Sequence, residues 1–163
     1  MTDDGLGVWE RFRAGWTGVE SEGVLHVLRP AGAGDPFSAV PPELCGLWII
    51  TSDNPGGIVR DDRINVERRN ELRAEIVSMR LRGVLEGFHQ ARGAADGSWT
   101  GAEYGVAVRC TEETAVNLGH AYGQLAVYHL VPEGRRLVPC IMLKRGEIVA
   151  VQPMIHTSMT WGR

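Results

Sequence analysis

Residues 47–57 read LWIITSDNPGG, and this stretch organises the chain on either side of it. Leu47–Thr51 forms a continuous apolar run of strand length, which predicts a central strand of a sheet. Asn54-Pro55-Gly56-Gly57 then ends the strand, because asparagine, proline and glycine favour turns over regular structure. The stretch therefore predicts a buried strand that opens into a polar loop.

The segment after this loop predicts the strongest helix of the chain, Asn65–Arg82. Leu72, Ile76 and Met79 recur on one helical face, and Gly83 ends the pattern. A second helix begins after Thr111, a favourable N-cap residue, and runs to Gly123. A short amphipathic helix is predicted over Val8–Trp16. The predicted strands are Gly23–Leu28, Leu47–Thr51, Val84–His89, Tyr104–Arg109, Leu125–Val131, Leu137–Leu143 and Glu147–Val151.

The order of elements from residue 47 to residue 131 is strand, helix, strand, strand, helix, strand, which is typical of a split β-α-β arrangement. We therefore predict an α+β fold with a ferredoxin-like core, extra flanking strands and a short N-terminal helix. A chain of 163 residues can bury a core without metal or disulfides, so a single domain is expected. Within 1–163 it divides into an N-terminal helix and arm (1–22), the core (47–131) and a closing hairpin and tail (132–163).

Composition narrows the classes of function. The net charge of −3 argues against general nucleic-acid binding, which usually comes with a basic surplus. No apolar run reaches the roughly 20 residues that span a bilayer. Cys45, Cys110 and Cys140 are few and far apart, which predicts reduced thiols in the cytoplasm. The histidines lack ligand-like spacing, so neither a metal nor a cofactor is expected.

The predicted topology brings polar residues to one edge of the sheet, which we call the rim. If the first core strand runs up, its end, the start of the first helix, the end of the second strand (His89) and the starts of the third and fourth strands all lie at the top. Amides and guanidiniums beside a free helix N-terminus favour an anionic ligand. The predicted ligand-binding residues are Thr51, Asn54, Asn65, Arg68, Arg69 and Gln124.

Catalysis has weaker support in the sequence. Phosphate-binding glycine loops, nucleophile elbows and zinc-protease motifs are absent from it. The one acid–base couple that the predicted hairpin could place face to face is Glu103 with His89. Each rim residue also has a structural interpretation: Asn54 as a turn former, Asn65 as a helix cap, and Arg68 or Arg69 as an ion-pair partner of a nearby glutamate.

With these residues identified, the chain resembles a bacterial family known as domain of unknown function 3293. The similar pieces are the stretch 50–55 (ITSDNP), the Asn65, Arg68 and Arg69 cluster, Trp99 followed by Glu103, and residues 118–127 (LGHAYGQLAV). The resemblance spans about residues 48–128. Near Trp99 the family usually has Trp, Glu and Ser close together, whereas here Glu103 is spaced differently and the Ser is missing. The resemblance implies no activity, but it groups the matched polar residues into one site.

Three hypotheses follow. In the first, the chain is a cytoplasmic protein that binds a small anionic metabolite or nucleotide at the rim. If it is also an enzyme, it hydrolyses that ligand or transfers part of it. In the second, the chain is an interaction module that forms a homodimer or binds a protein through the 137–151 hairpin, and the rim is internal scaffolding. The third, an RNA-binding module, ranks last because the predicted sheet lacks an aromatic stacking pair.

Overall fold

The computed structural model describes residues 4–36, 38–140 and 151–160. Its described part contains three α-helices: α1 (Asp4–Ala14), α2 (Asp62–Leu81) and α3 (Glu112–Ala121). The eight strands are β1 (Trp16–Ser21), β2 (Val24–Pro30), β3 (Trp48–Thr51), β4 (Phe88–Ala94), β5 (Glu103–Val108), β6 (Ala126–Val131), β7 (Gly134–Pro139) and β8 (Met154–Thr160). A single 3₁₀ turn, Pro55–Gly57, follows β3.

All eight strands join one antiparallel sheet, in the order β7-β6-β3-β5-β4-β1-β2-β8, which curls into an open half-barrel. The α+β class is confirmed, and β3 lies in the interior of the sheet as predicted. No helix in the described ranges has the length and apolar character needed to cross a membrane.

Both faces of the sheet are covered, which explains the continuous apolar run of β3. Trp48 and Ile50 point towards α2 and α3 and share a core with Leu72, Ile76 and Leu118. Ile49 points to the other face because side chains alternate along a strand. There it packs with Leu44, Leu47, Leu130 and Met154, among others. Helices α2 and α3 therefore lie on one face, while the 40–47 segment covers part of the other.

Two boundaries differ from the predicted ones for local reasons. Helix α2 begins at Asp62, one turn earlier than predicted, because the side chain of Asp61 accepts a hydrogen bond from the Arg63 N–H and caps the helix. Helix α1 ends at Ala14, and Trp16, predicted as helical, begins β1. Strand β1 was not predicted, and it joins β2 in a hairpin that adds two flanking strands next to β4.

Strand β4 was predicted in the wrong place. The apolar run Val84–His89 predicts the strand. Instead β4 covers Phe88–Ala94, with polar residues that pair with both β1 and β5. Of the predicted closing hairpin, β7 occupies Gly134–Pro139, and residues 141–150 lie outside the described part of the chain. The tail, unassigned from sequence, supplies β8, which pairs with β2.

Gly105 sits where β5 passes closest to β3. A Cβ built on it would overlap the backbone of Ile50, a contact that no side-chain rotation can relieve. We expect Gly105→Ala to lower the free energy of unfolding by about 1–3 kcal/mol, the usual cost of forcing extra volume into a packed site. Urea unfolding measures this, with Gly87→Ala as the control because a Cβ there meets nothing within 4 Å. Equal stabilities of the two variants would contradict the close approach.

Candidate functional site

The carboxylate of Asp53, just past the end of β3, is the centre of the rim. Asp53 is 1% exposed, and it accepts hydrogen bonds from Arg69 Nε at 2.8 Å and Nη2 at 2.6 Å. The backbone N–H of Tyr104 donates to the same carboxylate at 2.9 Å. The bond to Asp53 is the main reason that the pKa of Arg69 is raised. This buried ion pair joins the end of β3 to α2 and to the start of β5.

The side chain of Asn54 makes a second set of hydrogen bonds at the rim. Its Oδ1 accepts from Asn65 Nδ2 at 3.0 Å and from the backbone N–H of Arg60 at 2.9 Å, while its Nδ2 donates to Glu103 Oε1 at 2.9 Å. Asn54 has φ 49° and ψ 57°, a left-handed conformation that asparagine tolerates better than most residues. The side-chain oxygen of Asn65 accepts a hydrogen bond from the backbone N–H of Asn54 at 3.0 Å, so two hydrogen bonds join these asparagines.

A third set of contacts ties α3 to the rim. Gln124, 6% exposed, accepts from the Thr51 hydroxyl at 2.8 Å and donates to the Asp53 carbonyl at 2.9 Å. Arg68 donates from Nε to the Ser52 carbonyl at 2.7 Å and from Nη2 to the Tyr122 carbonyl, one of the carbonyls left free at the end of α3. Arg68 is therefore occupied by backbone oxygens on two elements.

The structure brings seven of the eight predicted site residues into these contacts: Thr51, Asn54, Asn65, Arg68, Arg69, Glu103 and Gln124. The sequence does not show which of the two arginines faces the site, but their contacts in the structure differ. Arg68 braces backbone, whereas Arg69 is 26% exposed and lies over the ring of Tyr104, with Cζ 4.7 Å from the ring centroid. Arg69 Nη1 makes no hydrogen bond to any residue that the structure describes.

The predicted couple of His89 and Glu103 does not form. Glu103 pairs with Gly93 across the β4–β5 ladder, whereas His89 pairs with Ala107. Four residues of strand separate the two positions, or about 13 Å. The cause is the displacement of β4 along the chain, which places His89 at the start of the strand instead of its end. His89 lines a separate cleft of about 380 Å³, together with Glu20 and Glu22.

The carboxyl group of Glu103 is the most perturbed acid at the rim. Desolvation by burial is the largest cause and raises its pKa, the hydrogen bond from Asn54 opposes this, and the Asp53 charge adds to the rise. Burial disfavours the ionised form of a carboxyl group, and a second carboxylate nearby does the same. The pKa of Glu103 is therefore higher than that of an ordinary glutamate, chiefly because the carboxyl group is buried.

Asp53 and Tyr104 were not among the predicted site residues, although each is next to one that was, Asn54 and Glu103 respectively. Asp53 lies inside the stretch that decides the fold, and an acid beside an apolar strand, with arginines on the following helix, is a signal for a buried ion pair. Tyr104 follows Glu103 and is 41% exposed. In the part of the chain that the structure describes, no three His, Cys, Asp or Glu side chains cluster as metal ligands would.

A comparison with protein families gives a match over residues 50–127, which contain most of the rim. The family is described as protein of unknown function (DUF3293). The predicted resemblance to this family is confirmed over these residues. The DUF3293 segment begins within β3, covers α2, β4, β5 and α3, and ends within β6, so every rim contact described above lies inside it. Searches of curated proteins and of solved structures found no match to the chain.

Glu103 gives a pH-dependent prediction. Because its pKa is raised in the folded protein, the group favours folding below its unfolded pKa, and this contribution is lost as pH rises through the folded pKa. Glu103→Gln keeps an acceptor for Asn54 and carries no charge. We therefore expect the stability of this variant, relative to wild type, to increase as pH rises from about 4 to about 7.

Urea unfolding at several pH values measures this difference, with Glu86→Gln as a control because Glu86 is exposed. A difference between Glu103→Gln and wild type that stays constant with pH, or that follows the Glu86→Gln control, would show that Glu103 titrates as an ordinary surface acid.

Proposed function

We propose that the rim binds a small anionic metabolite or nucleotide. The observation that carries the proposal is the state of Arg69: its Nε and Nη2 are fixed by Asp53, while Nη1 remains open among the described residues, on a partly exposed side chain. A guanidinium positioned in this way loses little conformational freedom when it binds an anion.

The surroundings of Arg69 suggest how such a ligand would lie. The anionic group accepts hydrogen bonds from Nη1, and a planar part of the ligand packs against the exposed ring of Tyr104. Glu103, with its raised pKa, can donate a proton or a hydrogen bond to an oxygen of the ligand. In a catalytic form of this function, a hydrolase or a transferase, Glu103 is the general acid or base. A buried carboxyl group with a raised pKa, close to a second charge, supports a functional site.

We further propose that the core is ferredoxin-like and that the protein works in the cytoplasm of a bacterium. The core strands stand in the order β6-β3-β5-β4, with each neighbour antiparallel, and this order supports the ferredoxin-like description. The cysteines Cys45, Cys110 and Cys140 are all free thiols, which suits a reducing compartment.

The alternative is an interaction module, and one specific observation favours it. Seven predicted site residues are engaged with the protein itself, and a network that is satisfied internally can serve as scaffolding alone. Among the described strands β7 is the last on its side of the sheet, with a single bridge from Arg135 to Gln152 on its outer edge, and sheet edges can pair with another chain. This function predicts a homodimer whose measured mass falls on dilution in light scattering, and no response to small anions.

The test of ligand binding is a thermal-shift screen of nucleotides, phosphorylated metabolites and dicarboxylates. Arg69→Lys is the informative variant, because lysine keeps a positive charge for Asp53 but loses the planar group and the free nitrogen. Arg69→Ala is less useful, since an unpaired buried carboxylate costs about 3–5 kcal/mol. At about 100 times its Kd, a ligand stabilises the folded state by about 2.7 kcal/mol, or several degrees in Tm.

We expect a compound that stabilises wild type and Arg63→Lys but not Arg69→Lys. Arg63 is the matched control because it lies on the same helix with its side chain 86% exposed. If no compound shifts the wild-type Tm, or if Arg69→Lys responds as wild type does, the rim is not the binding site.

A further inference from the structure

Two histidines face each other at the edge of the sheet that is farthest from β7. His26 on β2 and His156 on β8 have Nδ1 and Nε2, respectively, 3.1 Å apart. Their rings are stacked with centroids 5.3 Å apart and an angle of 23° between the planes. His26 pairs across the ladder with Ser158, and Leu28 pairs with His156. The two imidazoles are thus diagonal neighbours on one face of a two-strand ladder.

We propose that His26 and His156 bind a divalent transition-metal ion of the Zn²⁺, Ni²⁺ and Cu²⁺ class as two adjacent ligands. Metal–imidazole bonds of about 2.0–2.1 Å place the nitrogens of two adjacent ligands about 2.9 Å apart at a right angle and about 3.4 Å apart at the tetrahedral angle. The observed separation of 3.1 Å lies between these values. At this bond length the ion lies about 1.3 Å to one side of the line between the nitrogens, so each ring turns to direct its lone pair at the ion instead of at the shared hydrogen.

The protonation states are compatible with this exchange. An imidazole with an ordinary pKa of about 6.5 is mostly neutral above pH 7, and the neutral form is the metal ligand. In the pair, one facing nitrogen carries hydrogen and donates it to the other. Metal binding requires that ring to move its hydrogen to the outer nitrogen through water.

The surroundings leave space for the remaining ligands. His26 is 7% exposed, but His156 is only partly buried, and Thr157 and Ser158 beside it are exposed. Water can therefore complete the coordination. The carboxylate of Glu43 acts electrostatically on His156 and adds an attraction for a divalent cation. Imidazole ligands suit zinc, nickel and copper, whereas magnesium and calcium prefer oxygen ligands.

The binding experiment uses the full-length protein and Zn²⁺ itself, titrated at pH 7.5 in competition with a chromophoric chelator. Two ligands on one rigid ladder act as a chelate, so removing one ring weakens binding by about tenfold or more. We expect this loss in His156→Gln and in His26→Asn. His120→Gln is the matched control, because His120 is an exposed histidine on α3 and every thiol is retained.

A second measurement does not depend on any variant. Imidazole ¹H–¹⁵N spectra of the wild-type protein should show Zn²⁺-dependent shifts for two of the five histidines and no others. The ion should also raise the Tm, because it binds only when β8 is paired with β2. Equal Zn²⁺ affinity of wild type and His156→Gln, or shifts confined to other histidines, would overturn the proposal.

Discussion

The burial of the Asp53 carboxylate is the constraint on which the rim depends. A carboxylate at 1% exposure is costly unless several donors surround it. The donors come from two different elements, the Arg69 side chain on α2 and the Tyr104 N–H at the start of β5. To supply them, α2 must turn the face that carries Arg69 towards the end of β3, and β5 must begin next to Asp53. A single buried charge thus sets the relative position of three elements.

The amide network is built on this arrangement. With α2 held by Asp53, Asn65 points at the loop after β3, where Asn54 bonds to it from a left-handed backbone conformation. The same conformation directs the Asn54 amide towards Glu103. Two consequences follow for chemistry: the polar groups have one arrangement, and most of their hydrogen-bonding capacity is already used. Among the residues that the structure describes, the groups still open to a ligand at the rim are Arg69 Nη1, the Tyr104 ring and the second oxygen of Glu103.

The sequence predicts well where local signals decide the structure. The apolar stripe of α2 and the Thr111 cap of α3 are such signals, and both helices form where they were expected. Strand β4 shows the opposite case. Its sequence, FHQARGA, has little apolar character, and it becomes a strand because β1 and β5 pair with it on both sides. Pairing partners that are distant in sequence leave no local pattern.

The contrast between local and distant signals also applies to the contacts at the site. The convergence of Asn54, Asn65 and Glu103 follows from strand directions alone, which the order of elements implies. The partner of each arginine does not follow from it, because Arg68 and Arg69 are adjacent and differ by a rotation of about 100° on the helix. His26 and His156 are 130 residues apart, and nothing near either of them marks the other.

The rim and the histidine pair occupy different parts of one sheet. From β3 the order runs through β5, β4 and β1 to β2, which is four strand spacings, or about 19 Å along the sheet. Sites separated by more than about 7–10 Å, with no shared partners, usually contribute additively to stability. The rim lies within the DUF3293 segment, whereas β2 and β8 lie outside it. A metal ion at the edge would therefore fasten β8 to the flanking strands without changing the arrangement around Asp53.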